Sequence, residues 1–280
     1  MSNLTIDRSI LITGCSSGIG YCAAHGLQKL GYRVFATARK SEDVSRLKQE
    51  GLESLELDLN DSSSITSAVQ QVLELTDGKL YALFNNGAYG QPGAVEDLTS
   101  DALRHQFEVN VFGTHELTRQ IIPIMRNQNE GRIIQNSSLL GLVVLPYRGA
   151  YNASKFALEA LSDTLRLELV NTNIFVSSIE PGPIRSKFRM NSYKMFQKYI
   201  DEQHSLYQGT YDKMQKNLLK EGPVMPFTLP PEAVLKRVVY ALEAKNPQPH
   251  YYVTVPTYVL VTLKRFLPHR LMEWVLRKVV

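Results

Sequence analysis

Four polar side chains, Asn110, Ser138, Tyr151 and Lys155, stand at offsets that suit proton transfer. Tyr151 and Lys155 are four residues apart at the head of a helical stretch, YNASKFALEALSDTLRLEL. Residues i and i+4 share a helix face, so the ammonium can sit beside the phenol. A nearby positive charge favours phenolate and draws the tyrosine pKa down, which suits a general acid/base. Phe156, Leu158, Leu161, Leu165 and Leu169 are expected on the buried side of that helix. A Tyr-x-x-x-Lys pair alone is common by chance, and its companions give it weight. Ser138 ends a strand-like run thirteen residues before Tyr151, where its hydroxyl can hold a substrate oxygen. Ser137 is the rival, and strand alternation turns it to the other face. Asn110 is polar within the otherwise apolar helical stretch 107–114; satisfying a buried backbone group is its structural alternative.

Far upstream stands Thr13-Gly14-Cys15-Ser16-Ser17-Gly18-Ile19-Gly20, between a strand pattern and a helix pattern. Glycines let the backbone approach phosphates without a Cβ, and the helix that follows points free N–H groups at them. This is a place for a pyrophosphate, although the first two glycines are further apart than in Gly-x-Gly-x-x-Gly. The second strand ends in Ala36-Thr37-Ala38-Arg39-Lys40 with no carboxylate to accept ribose hydroxyls. Arg39 can grip a 2′-phosphate with a hydroxyl from Ser17, whereas Lys40 reads as solvated charge. The expected cofactor is therefore NADP(H) in preference to NAD(H), and the chemistry is hydride transfer.

The elements that position these groups alternate along the chain. Apolar, β-branched runs at 9–13, 32–38, 55–58, 80–85, 132–137, 174–179 and 251–255 read as strands. Helical patterns such as 21–30 and 64–75 separate them. The sequence thus predicts one α/β domain over 1–280, a doubly wound parallel sheet of about seven strands with helices on both faces. A net charge of +4 without a clustered basic module speaks against nucleic acid. Two cysteines, Cys15 and Cys22, suit a reducing compartment and no disulfide. The six histidines show no ligand spacing, so no metal site is expected. Residues 1–9 leave no room for a signal peptide, and no run of 18 apolar residues occurs.

The combination of TGCSSGIG, Asp58, Asn85-Asn86-Gly87, Asn110, Ser138, YNASK and the PGPI turn at Pro181 resembles the short-chain dehydrogenases/reductases over nearly the whole chain. Within that family it is most similar to the branch of 17β-hydroxysteroid and retinol dehydrogenases, through the cysteine-containing turn, ATAR and EPGPIRSKF. The resemblance implies a Rossmann-type fold with Tyr151 as general acid/base. Lys155 lowers its pKa and holds the nicotinamide ribose, Ser138 steadies the substrate oxygen, and Asn110 holds a water for proton relay. It implies cofactor contacts from Gly14, Ser16, Ser17, Gly18, Ile19, Gly20, Asp58, Leu59, Asn86, Gly87, Pro181, Gly182 and Ile184. The family's usual Asn-Asn-Ala-Gly is here Asn85-Asn86-Gly87-Ala88, which exchanges two small residues near the adenosine ribose.

The segment 187–222 corresponds to a substrate lid, and its Phe188, Met190, Tyr193, Met195, Phe196, Tyr199, Tyr207, Tyr211 and Met214 either wall a lipophilic pocket or pack the lid on the core. The tail 257–280 interleaves basic and apolar residues, either as an amphipathic helix on an anionic membrane surface or as one packed on the body or a second subunit. The expected protein is a cytoplasmic homodimer or homotetramer, peripheral on a membrane if the tail binds one. It reduces an aldehyde or ketone, or forms it from the alcohol. The rivals are an NAD-linked steroid or retinol dehydrogenase and a non-catalytic NADP(H)-binding regulator or membrane-surface protein.

Overall fold

Short aliphatic runs hold as parallel strands when helices cover both of their faces. A computed structural model of the chain describes residues 8–223 and 225–279. The readings made on residues 1–7 and on Val280 lie outside the described residues. The strands are β1 (Ser9–Ile12), β2 (Arg33–Ala38), β3 (Glu53–Glu56), β4 (Ala82–Asn85), β5 (Gly131–Asn136), β6 (Ile174–Glu180) and β7 (His250–Tyr252). All neighbours pair in parallel, in the order β3-β2-β1-β4-β5-β6-β7. The order reverses between β1 and β4, so a crevice opens beyond their carboxyl ends. This is a single Rossmann-like α/β domain.

The first helices are α1 (Gly18–Lys29), α2 (Ser41–Gln49), α3 (Ser62–Leu75), α4 (Ser100–Phe107), α5 (Thr114–Asn127) and α6 (Gly149–Glu168). After them come α7 (Phe188–Tyr199), α8 (Gln208–Leu219), α9 (Glu232–Glu243), α10 (Val255–Phe266) and α11 (His269–Lys278). Strand alternation divides the core into two layers. Ile10, Ile12, Phe84 and Ile134 face a layer with Ala23 and Leu27 of α1 and Val234 and Val238 of α9. Leu11, Leu83 and Ile133 face the other, with Ile65 and Val69 of α3 and Leu117 and Ile121 of α5. No helix among the described residues is long and apolar enough to cross a membrane.

Four expectations change. The third strand lies two residues earlier than expected, because Asp58 is drawn into a turn: its N–H donates to Ser64 Oγ and its carboxylate accepts from the Asn60 N–H. The seventh stops at Tyr252, and Val255 opens α10, where Pro256 in the first turn costs no helix hydrogen bond. The tail is two helices broken at Pro268, and Leu260, Met272 and Leu276 bury against Leu139 and Val143. The buried face of α6 carries the expected Leu158, with Leu169 at its end, but shares it with Tyr151, Ser154, Lys155, Glu159 and Ser162; of the expected apolar side only Leu161 is exposed, at 42%.

Candidate active site

The glycine turn leaves β1 at the crevice. Gly14 and Gly18 hold positive φ, 72° and 62°, which a side chain resists. A Cβ on Gly20 would lie 2.4 Å from Gly14 O and 2.5 Å from Asn86 Nδ2, so the turn closes only around a bare backbone. Ser17 caps α1 without a side-chain hydrogen bond, leaving the first N–H groups of the helix to a ligand. These features fit a dinucleotide pyrophosphate. Asn86 pins the turn: its amide donates to Thr13 O at 2.8 Å and Gly14 O at 3.2 Å, and its Oδ1 accepts from Asn136 Nδ2 at 2.9 Å. The Thr13 hydroxyl accepts from the N–H groups of Asn86 and Gly87. A Cβ on Gly87 would lie 3.0 Å from Leu59 Cδ1 and 3.2 Å from Thr13 Oγ1. The exchange of Gly87 and Ala88 thus keeps the smaller residue where this chain is tight.

Arg39 is exposed at the end of β2, and Asp58 and the buried Leu59 follow β3. Pro181 O accepts from the Leu139 N–H at 2.9 Å, joining the Pro-Gly-Pro turn to the Ser138 loop. Gly182 seats against Thr254, and Ile184 bridges to Leu229. Ser186 lies over Gly18, so the turn after β6 arches across the dinucleotide turn.

Asn110, Ser138, Tyr151 and Lys155 converge at the carboxyl ends of β4 and β5. Tyr151 and Lys155 occupy the first turns of α6, and the lysine Nζ is 5.8 Å from the phenol centroid. Lys155 Nζ donates to Asn136 O at 2.7 Å. Burial pushes the Tyr151 phenol up to about 12, opposed by its hydrogen bond to Ser138, so the lowering expected from Lys155 is not seen. It therefore holds its proton at neutral pH. Burial pulls the Lys155 ammonium down to about 8, opposed by the charge of Glu159. Ser138 is extended, and its Oγ also accepts from the Leu140 N–H. Ser137 turns away, towards Gly141 and Glu159. Asn110 lies in a π-helical turn, Glu108–Gly113, of the kind that marks functional sites. Its Oδ1 accepts from the Tyr89 N–H, and its amide donates to Tyr89 O and Ser154 Oγ.

The lid residues divide. Phe196, Tyr211 and Met214 bury among Ala94, Ile200 and Leu218, and Tyr211 hydrogen-bonds Asp97. Phe188 instead meets Tyr151 edge-on at 5.4 Å, and Met190 is 41% exposed. Sequence reading missed three neighbourhoods. Arg46 and Lys187 line a cavity with Ser16, Ser17 and Gly18, and Arg46 donates to Ser16 O. Tyr89 O–H bonds His105 Nδ1 at 2.5 Å; burial, then the charges of Lys198 and Arg39, hold that imidazole below its usual range. Glu159, Glu180 and His250 bring one ligand atom each within 4.8 Å of one another, His250 Nδ1 hydrogen-bonding Glu180 at 2.6 Å and standing 4.0 Å from Glu159. They lie too far apart in the chain for spacing to suggest it.

Cys15 and Cys22 are free thiols. Burial raises Cys15 to about 12, which suits packing rather than reactivity.

Residues 8–196 match the family described as short chain dehydrogenase. The chain is 40% identical over 277 residues to the uncharacterized oxidoreductase YbbO of Escherichia coli K12, covering 99% of this chain and 97% of that one. It is 30% identical to the NADPH-dependent 3-dehydrocapnine reductase of Ornithobacterium rhinotracheale, covering 97% and 96%. It is 32% identical to human 17-beta-hydroxysteroid dehydrogenase type 1, covering 92% and 78%.

Proposed function

The chain belongs to the short-chain dehydrogenase/reductase family and is an oxidoreductase acting on CH–OH/C=O groups, and on that premise we propose that it uses NADP(H) to interconvert a hydrophobic carbonyl and its alcohol. What supports this most is a buried phenol carrying its proton at neutral pH, hydrogen-bonded to Ser138 beside a dinucleotide turn. NADP(H), when bound, supplies the hydride chemistry. Gly14, Ser16, Ser17, Gly18, Ile19, Gly20, Asn86 and Gly87 would hold its phosphates and adenosine side, with Asp58 and Leu59 at the adenine. Pro181, Gly182 and Ile184 would line the nicotinamide. Arg39, free of any carboxylate at the strand end, would take the 2′-phosphate.

Tyr151 gives its proton to the carbonyl oxygen in reduction and takes it back in oxidation. Ser138 holds that oxygen in line with the phenol. Lys155, anchored on Asn136 O, presents a positive charge that eases loss of the phenolic proton. The side chain of Asn110 fixes the Tyr89 segment, so the water-holding role falls to its main chain. Phe188 gives the pocket an apolar wall beside Tyr151, which supports a lipophilic substrate. The relative named for NADPH-dependent 3-dehydrocapnine reduction supports both cofactor and direction.

Residues 255–280 hold five Lys/Arg and one carboxylate, a balance equal to the +4 of the whole chain. Phe266, Leu271 and Trp274 are exposed on the same two helices. A peripheral contact with an anionic membrane, in a cytoplasmic homodimer or homotetramer, fits this arrangement.

The test is NADPH oxidation with medium-chain aldehydes, retinal, and 3-keto and 17-keto steroids, with NADH run in parallel. One class should turn over with NADPH preferred. Tyr151→Phe should lower kcat by about 10²–10⁴-fold while leaving NADPH affinity within a few-fold. Undiminished turnover in that variant would sink the mechanism.

A further inference from the structure

A second buried polar cluster lies one helical turn beyond Lys155. Glu159 follows it by four residues on the same face of α6 and is 6% exposed. A Cβ on Gly141 would lie 2.8 Å from Ser137 Oγ, 3.0 Å from Glu159 Cγ and 3.1 Å from Lys155 O, so this loop glycine closes over all three. The Ser137 and Ser178 hydroxyls are buried and without a hydrogen-bond partner among the described residues, and so are both oxygens of the Glu159 carboxylate they face.

The surrounding elements supply the other charges. From β6, Glu180 accepts from His250 Nδ1 at 2.6 Å. From β7, His250 Nδ1 is 4.0 Å from Glu159, and Tyr252 lies nearby. From α6, Asp163 is 3.6 Å from His250 Nε2 and is tied to Arg166. The His250 side chain is 29% exposed, so the cluster runs from the catalytic helix to solvent.

A buried ammonium loses its hydration and needs a compensating anion. The acceptor that Lys155 bonds, Asn136 O, is neutral. We propose that Glu159 is a positioning residue for Lys155, holding it as the ammonium from the next turn of the helix, while His250 holds Glu159 as the carboxylate. The role deepens the proposed chemistry of Lys155 and rests on it. Burial pulls Lys155 down and Glu159 opposes this. Burial pushes Glu159 up, and Ser137, His250 and Ser178 oppose that in turn, with Asp163 acting the other way. His250 is raised, chiefly by its hydrogen bond to Glu180.

The test is the pH profile of kcat/KM for carbonyl reduction in wild type, Glu159→Gln, Glu159→Asp and His250→Gln. Loss of the Glu159 charge should move the upper limb down by about one pH unit. From a midpoint near 8, that is roughly a fivefold loss at pH 8 and almost none at pH 6. Glu159→Asp keeps the charge and should hold the limb near its wild-type position. His250→Gln, on the solvent side, should shift it less and in the same direction, and serves if Glu159→Gln does not fold. A loss equal at both pH values, or an unmoved limb, would overturn the role.

If wild type reduces no carbonyl, the reductase reading fails separately. Side-chain ¹⁵N NMR of lysine-labelled protein, with the signal assigned by Lys155→Met, then reads the same midpoint without turnover. A fall in Glu159→Gln supports the role, and an unchanged midpoint ends it.

Discussion

Asn86→Ala tests whether one amide ties the glycine turn to Lys155. The side chain donates to Thr13 O and Gly14 O and accepts from Asn136, whose own carbonyl seats Lys155. Alanine removes all three bonds at a half-buried site. At about 1 kcal/mol per bond, with water replacing part of the loss, the cost is about 2 kcal/mol. For a chain of this size that lowers Tm by roughly 4–8 °C. NADPH should bind more weakly, because the Gly14 backbone loses its anchor. The reaction should slow as well, through the freed Asn136–Lys155 segment. Differential scanning fluorimetry and NADPH fluorescence titration read the first two effects, and saturating-NADPH kinetics the third. A Tm within about 2 °C of wild type, with unchanged NADPH affinity, would show that Asn86 joins nothing.

Arg39→Ala should weaken NADPH binding by about 10–100-fold, the worth of a charge-assisted hydrogen bond, and NADH by less than about twofold. Equal losses would remove Arg39 from the 2′-phosphate. Trp274 is the sole tryptophan and 58% exposed. Its emission should therefore shift to the blue on phosphatidylserine vesicles, stay put on phosphatidylcholine ones, and revert in high salt. No shift on the anionic vesicles would argue that the tail only packs on protein.

The parallel sheet was legible because Ile10, Leu11 and Ile12 need cover on both sides, and only helices on two faces provide it. Tyr151, Lys155 and Ser138 were legible because i,i+4 spacing and a strand end are local geometry. Leu161 was misplaced because leucine spacing suggests a continuous buried stripe, whereas the buried side of α6 shares Leu158 with Tyr151, Ser154, Lys155, Glu159 and Ser162. The Glu159–Glu180–His250 cluster was invisible, since three separate elements bring it together. The lid showed its composition but not its facing: Phe196 and Tyr211 pack inward, and only the fold sets Phe188 against Tyr151. In the tail, the break at Pro268 went unread, and the burial of Met272 and Leu276 depends on a loop far earlier in the chain.

That packing has a consequence for how the protein is made. The loop carrying Ser138 rests its Leu139 and Val143 on Leu260, Met272 and Leu276, and Lys264 bonds Leu142 O. A ribosome making about 5–20 residues per second reaches Met272 roughly 6–26 s after Val143. In that interval the Tyr151 helix is made, the glycine turn having preceded it, while the Ser138 loop waits for its clasp. The Ser138 loop thus gains its support only once α10 and α11 exist, and a chain stopped before Met272 would leave that loop unsupported.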